Sequence, residues 1–276
     1  MTFYLLPMRQ RLTDPQAIRS LLKKYGLWAK KRFGQNFLAD ENVLRAIVEA
    51  ADIQPEAIIL EIGPGLGVLT RELLPRAKKV IAIEIDRDIL PALRETTHFF
   101  RDRLELRNEH FLNTILPEVP YQVVSNIPYH LTSPIIRKLL VEAGHRPTSL
   151  TLLVQKEVAE QICNTKKSSL LSLFVAVFGE AKIIASVPSS SFSPPPKVDS
   201  AILHINVFET PLLIRQPVQK VFSTAKQGFS QKRKKLKNLF PESLLRATEV
   251  DPDARAETLS VFDWERLTEN IRKESS

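Results

Sequence analysis

Short apolar runs rich in β-branched residues alternate with stretches of helical periodicity over the first two-thirds of this 276-residue chain. Strands joined through helices run parallel and are buried on both faces, so the alternation specifies an α/β sheet. Strands are predicted at Ile58–Ile62, Val80–Ile85, Leu104–Arg107, Gln122–Ser125 and Leu150–Val154, followed by a hairpin of Ile183–Val187 with Ala201–Val207. Helices are predicted near Glu41–Ala51, Val68–Leu74, Asp88–Glu95, Pro134–Ala143, Glu157–Cys163 and Leu170–Phe178. The expected fold is a Rossmann-like, doubly wound sheet. Right-handed crossovers gather the C-terminal ends of its strands on one edge, where ligands of such sheets bind.

The serine- and proline-rich stretch at residues 187–196 cannot continue a helix or a central strand, and reads as a loop. After Phe208 the pattern turns helical, with segments expected at Val218–Lys226, Lys232–Leu239 and Ser243–Ala247. The predicted division is residues 1–208 as one domain, with residues 1–38 as an N-terminal arm and loop, and residues 209–276 as a small C-terminal helical domain. Leu21, Leu22 and Leu27 have the spacing of a docking arm or helix.

Charge narrows the partner class. The net charge is +8, and a polyanion is the usual reason for a domain to tolerate such self-repulsion. The basic residues are bunched at Lys30, Lys31 and Arg32, and again at Lys226, Lys232, Arg233, Lys234, Lys235 and Lys237, which favours a phosphate backbone. Cys163 is the single cysteine, so no disulfide forms within the chain and no metal-ligand cluster is expected. No stretch reads as a signal peptide or approaches the roughly 20 apolar residues of a membrane span. A cytoplasmic location is expected. A monomer is also expected, since no surplus amphipathic face or heptad pattern appears.

Strand Ile58–Ile62 runs into Gly63-Pro64-Gly65-Leu66-Gly67 and then into the helical Val68-Leu69-Thr70. Such a turn can serve a dinucleotide, an adenosyl cofactor or neither. The next strand ends in Glu84, where a carboxylate at a strand tip can accept both ribose hydroxyls. Asp86 could share that role, and Glu84 is the assignment made here. The spacing departs from the full G-x-G-x-x-G phosphate cradle, which points to S-adenosylmethionine rather than a nicotinamide dinucleotide. Upstream, Gln35 and Asn36 offer amides suited to a zwitterionic methionine group, and Leu38 can wall the site; taken alone, this is a polar loop before a helix capped by Asp40.

The fourth strand ends in Ser125-Asn126-Ile127-Pro128-Tyr129. An exocyclic base amine is a poor nucleophile, because its lone pair is delocalised into the ring. The Asn126 oxygen and a main-chain carbonyl near Ile127 can take the amine protons while Tyr129 stacks on the base, leaving the lone pair aimed at a methyl group. The plain alternative is a proline turn capped by Asn126. In Ser191-Phe192-Ser193-Pro194-Pro195-Pro196, Phe192 reads either as an exposed aromatic clamping the second face of a flipped base or as a core residue beneath the loop.

Taken together, KRFGQNFL, EIGPGLGVLT, EID, SNIPY, LVQKEVAEQI and FSPPPKVDSAI stand in one order that resembles the ribosomal RNA small-subunit adenine dimethyltransferase family over roughly residues 20–240. The resemblance implies a class I methyltransferase fold and S-adenosylmethionine as methyl donor. It further implies dimethylation at N6 of two adjacent adenines near the 3′ end of small-subunit ribosomal RNA, with that RNA and the assembling subunit as partners. It assigns Asn36, Leu38, Gly63, Glu84 and Asn126 to the cofactor, Asn126, Pro128 and Tyr129 to the reaction motif, and Phe192 to stacking. His110 stands where the family usually has an acid that accepts the cofactor's adenine amine; its imidazole is expected to offer one acceptor nitrogen, neighbouring Glu109 could substitute, and cofactor binding is expected to be weakened rather than abolished. Two rival readings are a large-subunit adenine methyltransferase of the antibiotic-resistance kind and a non-catalytic RNA-binding assembly factor. The FSPPPKVDS loop opposes the first, and Asn126 with Tyr129 opposes the second.

Overall fold

The computed structural model describes residues 11–30, 33–213 and 215–274. Lys31 and Arg32 of the expected N-terminal basic cluster lie outside the described residues. The first described elements are α1 (Pro15–Lys24), whose N-cap Asp14 accepts from the Gln16 amide, and the short strand β1 (Phe37–Leu38). Helix α2 (Glu41–Ala51) starts where Asp40 accepts from the Asn42 and Val43 amides. Burial of Leu44, Ile47 and Ala51 on one face docks it. Then follow β2 (Ile58–Ile62), α3 (Thr70–Leu73), β3 (Lys79–Ile83), α4 (Leu90–Thr97), β4 (Leu104–Arg107), β5 (Gln122–Asn126), α5 (Thr132–Arg137), β6 (Ser149–Gln155), α6 (Lys156–Cys163) and α7 (Leu170–Phe178). The last part holds β7 (Gly179–Val187), β8 (Phe192–Ser193), β9 (Ser200–Val207), α8 (Val218–Phe229), α9 (Glu242–Ala247) and α10 (Val261–Glu274).

The main sheet has the order β4-β3-β2-β5-β6-β9-β7. β4, β3, β2, β5 and β6 are mutually parallel, while β9 runs antiparallel between β6 and β7. The chain builds outward from β2 to β4 and then returns to the other side of β2 at β5, which creates a switch point between β2 and β5. Pairing there covers only Ile59 with Gln122 and Leu60 with Val123. Beyond it the strands part, and the Ser125 hydroxyl bridges them by donating to the Ile62 carbonyl and accepting from its amide.

β1 and β8 form a separate two-stranded ribbon in which Phe37 faces Ser193 and Leu38 faces Phe192. No sequence pattern had announced it. One buried cluster runs from Leu60, Val123 and Leu203 through Phe178 and Phe222 to Trp264 and Leu267, so the C-terminal helices share the apolar core of the sheet. Helices α8 and α10 approach closely at Gly228, where an added Cβ would stand 2.3 Å from the Trp264 ring. The helix expected at Lys232–Leu239 is not formed: the segment is turns with one 3-10 turn at Leu236–Asn238. In a helix Lys232 with Lys235, Lys234 with Lys237 and Arg233 with Lys237 would stand as like-charged neighbours three or four positions apart, which disfavours it there. The Leu236 and Lys237 amides instead donate to the Ala254 and Pro252 carbonyls, sealing Leu236 inside. Among the described residues no helix is long and apolar enough to cross a membrane.

Candidate functional site

A cavity opens at the C-terminal edge of the sheet, at the β2/β5 switch point. It is walled by the loop Phe33–Leu38, the turn after β2, the tips of β3 and β4, and the segment Asn126–Leu131. The turn exists because its glycines reach conformations that other residues avoid. Gly65 has φ +57° and lies so near Phe37 that an added Cβ would meet its ring at 3.3 Å. Gly67 has φ +81°, and a Cβ there would clash with Thr96 Oγ1 at 2.8 Å and Leu93 Cδ1 at 2.9 Å.

Glu84 sits one residue past β3, is 4% exposed and lines the cavity. Its Oε2 accepts from the Gly65 amide at 3.2 Å and its Oε1 from the Asp86 amide at 2.8 Å, which ties it to the glycine turn. Burial raises its pKa above the ordinary carboxylate value, and these two amides pull it back. Asp86 is engaged elsewhere. It accepts from Lys30 Nζ at 2.6 Å and from Gln35 Nε2 at 2.9 Å, while Gln35 Oε1 takes the Lys30 amide at 2.9 Å. Burial alone would lower the Lys30 pKa, but Asp86 and Asp88 together raise it. Gln35 therefore fastens the loop, and its neighbour Asn36 meets the reaction motif.

The Asn126 side chain donates through Nδ2 to the Asn36 carbonyl at 3.2 Å. Its Oδ1 makes no hydrogen bond among the described residues and is the end left to accept. Pro128 is a wall: an added Cβ on Gly34 would lie 3.6 Å from it, and one on Gly63 would lie 3.8 Å away. Tyr129 follows in the 3-10 turn Tyr129–Leu131, where its hydroxyl is hydrogen-bonded to buried Ser200 at the start of β9. Burial raises the phenol's pKa, so the ring is a neutral, pinned plate.

Asn36, Leu38, Gly63, Glu84, His110, Asn126, Pro128 and Tyr129 all line this one cavity. Phe192 does not. It is 4% exposed, paired in β8 opposite Leu38, and sits in the apolar cluster with Leu38, Leu44 and Ile47. The exposed clamp expected of it is corrected to its core alternative: the β1–β8 ribbon turns the ring inward. For His110 the expectation of an acceptor also changes, because its Nδ1 already accepts from the Leu112 amide at 3.1 Å.

Sequence reasoning passed over Glu61. It is 2% exposed in β2 and borders the cavity, and its Oε2 has no hydrogen-bond partner. The nearby Thr70 hydroxyl eases the burial slightly without closing a bond of normal geometry. Burial pushes the Glu61 carboxyl up to about 8. The available signal was a lone acid within the apolar run Ile58–Ile62.

A mostly parallel sheet with this switch point and an antiparallel β9 near its edge, together with a glycine turn and an acid at the next strand's tip, defines a class I methyltransferase, a class that draws on an S-adenosylmethionine-type methyl donor. Residues 26–273 match the model of the family described as ribosomal RNA adenine dimethylase, and the chain belongs to that family. It is 38% identical over 265 residues to the ribosomal RNA small subunit methyltransferase A of Dehalococcoides mccartyi, covering 90% of each chain. To the protein of that name in Clostridium acetobutylicum it is 38% identical over 269 residues, covering 92% of this chain and 97% of the relative. Among solved structures it is similar to a dimethyladenosine transferase from Plasmodium falciparum, with TM-score 0.76, 28% identity, and 87% and 98% of the two chains covered. It is also similar to the 23S rRNA methyltransferase ErmE, with TM-score 0.70, 30% identity, and 86% and 100% covered.

Proposed function

We propose that this protein methylates the N6 amines of two adjacent adenines near the 3′ end of small-subunit ribosomal RNA, twice each, using S-adenosylmethionine, late in assembly of the subunit. The observation that carries the reading is the Asn126 amide, held at the tip of β5 by the Asn36 carbonyl with its oxygen left to accept.

The residues present fit the methyl donor. Glu84, locked to the glycine turn, suits ribose hydroxyls, and the glycines admit a ligand against backbone. Glu61, a buried carboxyl with an unpartnered oxygen at the cavity, suits the donor's ammonium group. Asn36 and Leu38 close the wall. When bound, S-adenosylmethionine supplies an electrophilic methyl on sulfonium. Asn126 Oδ1 and the nearby main-chain carbonyl hold the amine protons, so the nitrogen lone pair is no longer shared with the ring. The pinned Tyr129 ring offers the base a flat surface. Orientation of this kind supplies much of a rate enhancement without a strong base. The amine proton passes to solvent after transfer.

Residues 209–276 serve as the RNA- and subunit-binding part in this reading, with a monomer acting in the cytoplasm. The exposed cations Lys232, Arg233 and Lys234 support it, since they make no ion pair among the described residues. A second reading, a large-subunit adenine as target, draws on the likeness to ErmE.

The test is transfer of labelled methyl to purified unmethylated small and large subunits, with products mapped by primer extension. Two adjacent dimethyladenines in the small subunit are expected, with at least a hundredfold loss in Asn126→Ala, on the scale of removing a positioned transition-state contact. Label only in the large subunit would support the second reading. Binding to subunits without transfer would leave an assembly factor.

A further inference from the structure

We infer that His110 selects the base of the bound nucleoside by donating a hydrogen bond to one of its ring nitrogens, rather than by accepting from its amine. The inference rests on the reading above that the cavity takes an adenosyl cofactor.

His110 immediately precedes the 3-10 turn Phe111–Asn113, with extended backbone at φ −79° and ψ 124°. Its Nδ1 receives the Leu112 amide at 3.1 Å. A backbone N–H can only donate, so Nδ1 must present its lone pair. The neutral imidazole then carries its proton on Nε2, and that tautomer is fixed by local structure. Nε2 makes no hydrogen bond among the described residues, and the half-buried ring lines the cavity. The side chain therefore offers the ligand one N–H donor.

The sheet order places this donor beside a base. Along the edge, β5 carries Asn126, the tip of β2 carries the glycine turn, the tip of β3 carries Glu84 and the loop after β4 carries His110. A nucleoside whose ribose is taken at Glu84, with its methyl directed at Asn126, extends its base toward β4. Adenine presents two hydrogens at its exocyclic amine and lone pairs at its ring nitrogens. An N–H facing the amine would set donor against donor. Facing a ring nitrogen, it makes a normal hydrogen bond, so selectivity passes from the amine to the ring.

The experiment is calorimetric titration of the wild-type protein with S-adenosylhomocysteine and with analogues in which N1, N3 or N7 is replaced by CH, plus an N6,N6-dimethyl analogue. At least one deaza analogue is expected to bind about three- to tenfold more weakly than the parent, as for loss of one neutral hydrogen bond. The N6,N6-dimethyl analogue is expected within about twofold of the parent. In His110→Asp, checked for folding by its thermal transition, the pattern should reverse, with the N6-dimethyl analogue penalised and the deaza analogue no longer so. Equal affinity for the parent and every deaza analogue overturns the proposal while leaving the cofactor reading intact. No binding of the parent by the wild type overturns both.

Discussion

Lys30 and the turn at Lys232–Lys234 carry like charge in opposite surroundings. Lys30 is 8% exposed and bonded at 2.6 Å to both Asp86 and Asp88. It is covered yet shallow, since the Asp88 side chain is itself 65% exposed. Lys232, Arg233 and Lys234 are exposed, with no ion pair among the described residues, whereas Lys235 and Lys237 share Asp253, each at 2.8 Å. Those two lysines hold the Asp253 carboxyl down at about 2. A cation enclosed by acids fixes a loop; a cation left open offers charge to a polyanion. Both segments lie in basic runs of the sequence, and only the countercharges separate them.

Lys30→Ala should do the most damage, because it leaves Asp86 facing Gln35 without its cation and frees the loop that carries Asn36. A loss of about 3 kcal/mol in urea unfolding is expected, at the low end for breaking an enclosed pair, with methyl transfer lost and the salt dependence of RNA binding unchanged. A changed salt dependence would erase the distinction from the C-terminal turn.

Glu61 sharpens the same rule from the acid side, as an acid enclosed without a cation and with one oxygen unpartnered. Its folded pKa, about 8, lies above its unfolded value of 4.5. Its contribution to stability is therefore fully present below pH 4.5 and is lost as pH rises through 8. Glu61→Gln should gain on the wild type by on the order of 3 to 4 kcal/mol between pH 5 and pH 8. Parallel curves for the two proteins would show that the carboxyl is not buried alone.

Replacing Lys232, Arg233 and Lys234 together by Gln should leave the unfolding midpoint unchanged. RNA affinity should fall, and the slope of log affinity against log salt should flatten by about 2 to 3. The same change at Lys235 and Lys237 should flatten it less, since Asp253 already neutralises part of their charge. An unaltered slope in the triple variant would remove this turn from the interface.

Where one physical signal dominated, the sequence was readable. Helices Glu41–Ala51 and Leu170–Phe178 begin and end as expected, the first with Asp40 as its cap, and so do β2, a continuous apolar run that is buried, and β4, an alternating run that is half-buried throughout. The hairpin of β7 with β9 was also legible, though β7 begins earlier, at Gly179. Long-range pairing was not legible. Two-residue strands such as β1 and β8 carry no period, so the inward turn of Phe192 could not be read from its neighbours. Nor was α10 anticipated: its charged surface hides the buried stripe of Trp264 and Leu267. In the cavity, residue types pointed to Asn126 and Glu84, but the tautomer of His110 and the isolation of Glu61 depend on atoms that only folding brings together.

The ribbon of β1 with β8 also has a consequence for the order in which the protein can mature. Asp40, just after β1, receives the Ser191 hydroxyl across 151 positions of sequence. A chain emerging from the ribosome has β2, the glycine turn and Asn126 long before it has Ser191. Until then Phe37 and Leu38 lack the strand that fixes them, and contacts so distant in sequence form late. A nascent chain that stops short of the ribbon has the Gln35–Asp86 tie but leaves Phe37 and Leu38 unpaired, and so holds the strand tips beneath a wall only half secured.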